Sequence, residues 1–261
     1  MNHCFVIVCH SQSNVRLKEV LKALRNNNVI IVINIPLQSL VFNWEVFENF
    51  KNIMIIENFN VDGIAGGANI GASYAFSLGY KLLTFLDDDS IPSENFAEIV
   101  SQNFLFTDDN SVIYPGQFSK SLLNVKLLNH SGLTVSKVIF KKIGGFRRSL
   151  FIDLVDYDFG WRLQKNGISM ISVDNLKLNH RLGEKVFKSK LLKNISVQSP
   201  SRHYFQARNA LSLLREYKGR YRLVLIIINL LIVFKLFFLV LTNNEPKKRI
   251  TYYFRGLCDA K

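Results

Sequence analysis

Cysteine is scarce in this chain, and the few that occur follow no pattern. Only Cys4, Cys9 and Cys258 are present among the 261 residues, and no two of them form a CxxC pair. So few unpatterned cysteines exclude a disulfide-dense scaffold and give no zinc-ligand spacing. A reducing cytoplasm suits this composition best.

The sequence also lacks a secretory leader, internal repeats and low-complexity tracts. Its N-terminus has no basic segment followed by a long apolar stretch and a small-residue cleavage site, and a strand-like run at residues 5–9 comes first. Hydrophobic residues make up 48% and aromatic residues 12%. We therefore expect a folded chain with one substantial core, or at most two modest ones.

Acidic residues are outnumbered, because 20 Asp and Glu stand against 33 Lys and Arg and leave a net charge of +13. Such an excess favours a polyanionic partner: nucleic acid, anionic lipid or a diphosphate-bearing small molecule. The basic residues are spread along the chain, and no helix-turn-helix, zinc or RNP signature occurs. We expect no nucleic-acid partner.

Short β-branched runs alternate with helix-compatible stretches over the first third of the chain. The runs lie at residues 5–9, 29–34, 53–56 and 82–86. This alternation predicts an α/β fold with a mostly parallel sheet flanked by helices, whose ligands sit at the carboxyl ends of the strands. Further helices are predicted over 156–166, ended by Gly167 as a left-handed cap, and over about 202–217.

An apolar run covers residues 223–241, interrupted only by Asn229 and Lys235 and flanked on both sides by basic residues. Its length approaches the ~20 residues of a membrane span. A lysine near the bilayer centre costs roughly 2.5–3.5 kcal/mol, which the apolar neighbours can offset. Three interpretations stay open: a span, a pair of interfacial helices on anionic lipid, and a buried helix of a soluble core.

Three adjacent carboxylates, Asp87, Asp88 and Asp89, follow the fourth predicted strand. Pro92 prevents that strand from continuing, and a helix is predicted to begin near Ser93. The mutual repulsion of the carboxylates favours a bound cation, and their hard oxygens suit Mg²⁺ or Mn²⁺ together with substrate phosphates. A solvated turn or a helix cap is the alternative.

Four glycines crowd the segment at residues 63–72, which then runs into a predicted helix at 73–78. Small residues let a ligand approach the backbone, and a helix N-terminus favours anions. The spacing matches neither a GxGxxG fingerprint nor a P-loop. Taken alone, the segment can equally be a plain flexible loop.

A second acidic motif surrounds the start of the helix predicted at 156–166. Asp156 lies where the helix should begin, as a cap or as a general base that accepts a proton from an attacking hydroxyl. Asp158 precedes Arg162 by four residues and is expected to form a helical ion pair with it. His180 follows a predicted strand at 168–173 and can bind a metal or a leaving phosphate.

In this order, the motifs resemble the inverting family-2 glycosyltransferases of the GT-A fold, most closely the rhamnosyltransferase-like members that build bacterial surface polysaccharides. The resemblance covers roughly residues 5–217. It rests on an ordered set of segments: residues 5–9, GGANIGASYAF at 66–76, LDDDS at 86–90, HSGLTVSKVIFKKIGGF at 130–146, FIDLVDYDFGWRLQKNG at 151–167, His180, and RHYFQARNALSLLREY at 202–217.

The resemblance implies roles for single residues. Asp87 and Asp89 would hold the divalent cation and, with Asp88, the sugar nucleotide; Asp156 would be the catalytic base. His180 matches a histidine after the catalytic helix and is expected at the metal. Asn69 and Gly71 would line the nucleotide side of the pocket. The family's nucleobase-contacting Asp after the second strand is Asn34 here or has no counterpart.

The resemblance also implies a reaction and a location. The donor would be a dTDP- or UDP-sugar, and the acceptor a glycan or a polyprenyl-diphosphate-linked glycan, joined with inversion in O-antigen or capsule synthesis. We expect a GT-A domain at 1–217 and a membrane-associating C-terminal region at 218–261, which places the enzyme in the cytoplasm at the inner face of the membrane. A nucleotidyltransferase and a non-enzymatic membrane-associated nucleotide-binding protein are the alternatives.

Overall fold

The computed structural model of the protein describes residues 2–10, 15–36, 47, 50–105, 110–180, 198–241 and 245–260. Within these residues the chain forms two compact units. The first comprises residues 1–120, 126–151 and 155–180, and the second comprises 121–125, 152–154 and 181–261.

Strands and helices alternate through the first unit, as the sequence predicts. The strands are β1 His3–Cys9, β2 Val29–Ile33, β3 Ile53–Glu57, β4 Leu82–Asp87, β5 Ser90–Pro92, β6 Ser111–Pro115, β7 Lys120–Leu122, β8 Val125–Leu127, β9 Thr134–Ser136, β10 Ser169–Val173 and β11 Leu178–His180. Residues 121–125, which include most of β7 and the first residue of β8, belong to the second unit. The helices of this unit are α1 Val15–Ala23, α2 Gly63–Ser77, α3 Phe96–Leu105, α4 Lys137–Ile143 and α5 Val155–Lys165. Strands β7 and β8 form a hairpin.

Seven strands form the central sheet in the order β10-β6-β9-β4-β1-β2-β3. Every pairing is parallel except those of β9, which runs antiparallel to both β4 and β6. All residues of β1 and β2 are buried, which explains their unbroken apolar sequences, because helices cover both faces of such a sheet. The strand order reverses between β1 and β4, and ligands bind at such a switch point in open sheets. The predicted mostly parallel sheet is confirmed.

The chain after β4 differs from its prediction. Ser90–Pro92 forms the short strand β5, which pairs antiparallel with β11, and the next helix begins at Phe96 rather than near Ser93. The backbone N–H of Ser93 donates to the carbonyl of Lys177. A strand partner from the far end of the unit therefore holds this segment extended, and local sequence did not reveal that partner.

The glycine-rich segment is helical, so its predicted helix start at residue 73 is wrong. Helix α2 begins at Gly63 and places Gly67 and Gly71 against the sheet. A Cβ on Gly67 would lie 2.8 Å from Val8 Cγ1, and one on Gly71 would lie 2.5 Å from Val6 Cγ1. The glycines thus allow close packing of the helix on the strands, which offsets their low helix propensity.

The second unit contains the helices α6 Pro200–Glu216, α7 Gly219–Leu241 and α8 Pro246–Cys258. Helix α6 is the helix predicted at about 202–217. Ala207 of α6, Leu236 of α7 and Tyr253 of α8 meet in one buried cluster. The packing therefore groups α6 with the C-terminal helices, whereas the sequence-based division at residue 217 placed it in the GT-A domain. That division itself stays a prediction.

Helix α7 covers the whole apolar run and is the one helix in the described part of the chain that is long and apolar enough to cross a membrane. Only Val224, Leu225, Leu236 and Leu239 of its residues are buried. A buried helix of a soluble core would hide most of its surface, whereas α7 buries four of its 23 residues within the described part of the chain.

Candidate active site

Two parallel strands bring the first site residues together. Val8 of β1 lies opposite Asp87 of β4, so both strands end at the same edge of the sheet. The backbone N–H of His10, directly after β1, donates to Asp88 Oδ2 at 2.9 Å. Both Asp87 and Asp88 act electrostatically on the His10 ring. The acidic motif thus occupies the sheet edge that the sequence predicts for it.

A loop before β9 closes over the end of β4. The N–H of Gly132 donates to the carbonyl of Phe85 at 2.7 Å, and the N–H of Asp87 donates to Ser131 Oγ at 3.3 Å. Gly132 has a φ of +83°, a left-handed conformation that glycine adopts without strain. These bonds fix the preceding residue, His130, beside the acidic motif.

His130 lies between the two acidic motifs. Its Nε2 is 3.1 Å from Asp87 Oδ1, and its Nδ1 is 3.7 Å from Asp156 Oδ2. The residue is 8% exposed. Burial alone would lower the pKa of His130, but Asp87 and Asp156 together outweigh burial and raise this pKa well above its usual value. The His130 ring therefore lies between the carboxylates of the two motifs.

Aromatic packing supports the His130 ring from behind. The rings of His130 and Phe146 meet edge to face with centroids 6.4 Å apart, and Phe146 in turn packs on Phe85 and Phe159. Asn69 holds the backbone of Phe146, accepting from its N–H at 2.8 Å and donating to its carbonyl at 2.7 Å. In this structure the Asn69 amide is thus used to position Phe146.

Asp156 lies in the first turn of α5, and its side chain is 30% exposed. Its solvent contact leaves the carboxylate accessible to a hydroxyl, as a general base requires. Asp158, two residues on, is fully buried between Arg147 Nη2 at 3.0 Å and Arg162 Nε at 2.8 Å. The predicted Asp158–Arg162 ion pair is confirmed. Helix α5 ends as predicted, with Gly167 at a φ of +70°.

Gly71, predicted at the nucleotide side, and Asn34, at the place of the family's nucleobase-contacting Asp, both pack inside the fold. Gly71 faces Val6 and Val32 of the sheet and is buried there, so the structure does not bring it to the acidic motif. Asn34 is fully buried. Its amide donates to the Gly63 carbonyl at 2.9 Å and accepts from Asn58 Nδ2 at 2.7 Å. Asn34 therefore stabilises the loop that leads into α2.

The structure describes the side chains of only some of the predicted metal ligands. Asp89 lies in the turn between β4 and β5 and is partly exposed. The backbone of His180 pairs with Ser90, next to Asp89, but the side chain of His180 lies outside the described residues. In the described ranges, no set of three or more His, Cys, Asp or Glu side chains converges as metal ligands. A cation held here would take Asp87, Asp89 and substrate phosphates, a donor set that suits Mg²⁺.

His10 and His130 are site residues to which sequence reasoning gave no role. A signal for His10 was present, because it follows β1 as Asp87 ends β4, and polar residues after such strands are candidates. His130 opens one of the motifs that carry the family resemblance. Its position between Asp87 and Asp156 depends on the fold of the loop before β9, which no local pattern specifies.

No protein-family model matches the chain. The chain is similar to the dTDP-rhamnosyl transferase RfbF of Shigella flexneri, at 29% identity over 272 residues that cover 95% of this chain and 90% of the relative.

Two solved structures of TarS from S. aureus have a similar fold. TarS in complex with UDP-GlcNAc matches with a TM-score of 0.56 and 15% identity, over 97% of this chain and 81% of that chain. A longer TarS structure matches with a TM-score of 0.53 and 14% identity, over 84% of this chain and 41% of that one. The chain thus spans under half of the longer TarS.

The likeness to TarS confirms the expected GT-A fold with its long apolar C-terminal helix. Together with the likeness to RfbF, it confirms the resemblance to family-2 glycosyltransferases.

Proposed function

We propose that this protein transfers a sugar, with rhamnose as the first candidate, from a nucleoside-diphosphate sugar to a glycan or lipid-linked glycan, with inversion, in cell-surface polysaccharide synthesis. The observation that carries the proposal is His130, which lies 3.1 Å from Asp87 and 3.7 Å from Asp156. It joins the expected diphosphate site to the expected base at one edge of the sheet. The two motifs are far apart in sequence, at residues 87–89 and 156.

The donor follows from the relatives. RfbF is a dTDP-rhamnosyl transferase, and TarS has been solved with UDP-GlcNAc and with UDP. A dTDP- or UDP-sugar would place its diphosphate at Asp87 and Asp89. The cation expected there, Mg²⁺ or Mn²⁺, would neutralise charge on the departing diphosphate. Asp88 would stay bonded to the His10 backbone and hold the turn in shape.

Asp156 would act as the general base of the reaction. Its partly exposed carboxylate would accept the proton of the acceptor hydroxyl as that oxygen bonds to the anomeric carbon, while the bond to the diphosphate breaks on the opposite side. This direct displacement inverts the anomeric centre. His130, placed between Asp87 and Asp156, would separate the two negative motifs and lie beside both the base and the donor site.

The C-terminal helices support a location at the cytoplasmic face of the membrane. One stripe of α7 is apolar and exposed, formed by Leu223, Ile226, Leu230, Leu231, Val233, Phe234, Phe237 and Leu241. An exposed stripe of this size marks an interaction surface. Basic residues lie at the start of α7 and of α8, and this combination suits anionic lipid. A lipid-linked acceptor would lie at the same surface.

The test is nucleoside diphosphate release from a panel of dTDP- and UDP-sugars, with Mg²⁺ or Mn²⁺ and with a chelator. We expect one donor to turn over only with metal, and expect Asp89→Ala and Asp156→Asn to abolish turnover. Glu98→Gln, which removes an exposed carboxylate on α3, should leave the rate unchanged.

The possible outcomes separate the competing functions. Release of pyrophosphate instead of nucleoside diphosphate would support a nucleotidyltransferase. Absence of both turnover and metal-dependent nucleotide binding would leave the acidic motifs structural and overturn the proposal.

A further inference from the structure

A strained segment comes immediately before the proposed base. Phe151, Asp153 and Leu154 have φ angles of +63°, +63° and +62°, and none of them is a glycine. Side chains rarely adopt this left-handed region, because the Cβ atom crowds the backbone. Such strain persists only where surrounding groups hold it in place, and it is concentrated at functional sites. Asp156 follows two residues later.

Helix α6 supplies the groups that hold the segment. Asn209 Nδ2 donates to two successive carbonyls, that of Ile152 at 2.8 Å and that of Asp153 at 2.9 Å. Arg202 binds the Asp153 carboxylate through two nitrogens, at 3.0 Å and 2.5 Å. Gln206 Nε2 adds a longer bond to the same carboxylate, at 3.4 Å. One face of a single helix thus binds both the backbone and the side chain of the segment.

The Asn209 amide is protected from water, whereas the Arg202 side chain is 35% exposed. Asn209 is 1% exposed, and the Asp153 side chain is 9% exposed. The carbonyls of Ile152 and Asp153, which belong to partly buried residues, would lose this donor if the Asn209 amide were removed. The buried amide therefore stabilises the strained backbone in one conformation and excludes alternatives that would relax the three torsions.

We propose that Asn209, assisted by Arg202, is a positioning residue for the base: it fixes the strained segment and thereby the place at which α5 presents the Asp156 carboxylate. The inference rests on the proposed role of Asp156. The function of α6 would then lie in the transfer step, because a base displaced by a fraction of an ångström from its hydroxyl loses rate without losing the donor. Neither Asn209 nor Arg202 needs to touch a substrate for this role.

The experiment measures donor binding and turnover separately for Asn209→Ala. We expect the kcat to fall about tenfold or more, while KM and the calorimetric Kd for the donor change less than twofold. The kcat is divided by the measured stoichiometry of donor binding, so that a misfolded fraction does not count as lost chemistry. Asn103→Ala is the matched control, because Asn103 Nδ2 also donates to a backbone carbonyl, that of Ile99, and its kcat should not change.

A rescue variant separates positioning from general support. Leu154→Gly places at one strained position a residue that adopts a positive φ without cost. Added to Asn209→Ala, it should restore part of the lost kcat. Asn209→Asp keeps the size of the side chain but sets a carboxylate against two carbonyls, so it should be as slow as Asn209→Ala or slower.

Each remaining result has a definite meaning. If Asp156→Asn abolishes turnover and Asn209→Ala retains its kcat, the inference is wrong and the proposed function stands. If Asn209→Ala loses turnover only in proportion to lost donor binding, α6 supports the fold and nothing more. If Asp156→Asn turns over normally, the base is misassigned and the inference falls with it.

Discussion

Helices α2 and α7 are both long and poor in charge, yet they lie in opposite environments within their units. Helix α2 has no charged residue and buries nine of its 15 residues. Helix α7 is longer, at 23 residues, and buries four of them. The buried residues of α2 are Gly and Ala except for Phe76, whereas the exposed stripe of α7 consists of Leu, Ile, Val and Phe.

The difference shows that apolar character alone does not predict where a helix lies. Small side chains explain why α2 is buried, because glycine lets its backbone approach Val6 and Val32. Large side chains on the exposed stripe of α7 cannot pack that closely, and the described part of its own unit does not cover them. They are available to an apolar phase such as the membrane interface.

The largest effect is expected when α2 receives a large side chain on its packed face, since this removes the difference in side-chain size between the two helices. A Cβ at Gly71 would lie 2.5 Å from Val6 Cγ1 and 3.0 Å from Val32 Cγ2, and both valines are stiff and buried. We expect Gly71→Val to lower the free energy of unfolding by about 3 kcal/mol, as measured by urea denaturation. Ser73→Val changes an exposed position on the same helix and should cost far less; equal losses would show that close packing is not the reason for the glycine.

Charges on the exposed stripe of α7 should act on lipid binding instead. We expect the triple variant Leu230→Glu, Phe234→Glu and Phe237→Glu to bind vesicles rich in phosphatidylglycerol at least tenfold more weakly, about 1.4 kcal/mol, with little change in unfolding. Flotation of vesicles measures the binding. Val61→Glu with Val138→Glu, at 73% and 61% exposed positions of the first unit, is the control. Unchanged flotation of the triple variant would assign the stripe to another partner, such as a second copy of the chain.

The sequence predicted those parts of the fold whose causes are local. The ends of β1 to β4 lie within two residues of the predicted runs, and α5 and α6 were placed correctly, because apolar alternation and capping glycines act over a few residues. Helix α2 was missed over its first ten positions. Glycine is a poor helix former on its own, and only packing on strands from elsewhere in the chain makes this helix stable.

The candidate site was predictable as a set of residue types and only partly as an arrangement. Asp87, Asp88 and Asp156 were identified from motifs, and the structure brings Asp87 and Asp156 to one histidine. The histidine itself was missed, as was the use of Asn69, whose partner Phe146 is 77 residues away. Contacts over such distances depend on loop closure and sheet order, which residue patterns do not encode.

The smallest expected effect concerns the packed side of α7. His203 of α6 is fully buried, and its Nε2 lies 3.0 Å from Arg249 Nη1. Burial first, and then Arg249 and Lys235, lower the pKa of His203 to about 4 against the opposing effect of Asp153. Between its usual pKa of 6.5 and about 4, the unfolded chain binds a proton that the folded chain does not, so the free energy of unfolding falls as the pH falls through this window.

Glutamine in place of His203 would accept from Arg249 without titrating. We expect His203→Gln to flatten the loss of stability between pH 6 and pH 5 by about 1 kcal/mol or less, measured by urea denaturation at each pH. His3 in the first unit also has a pKa lowered, to about 3, by burial. The contribution of His3 to the pH dependence of stability is the same in the wild type and in His203→Gln, so it cancels when the two are compared. If the stability of His203→Gln falls with pH as steeply as that of the wild type, His203 is protonated in the folded state as well. The packed side of α7 would then be more open to water, and its contrast with the exposed side weaker, than the structure indicates.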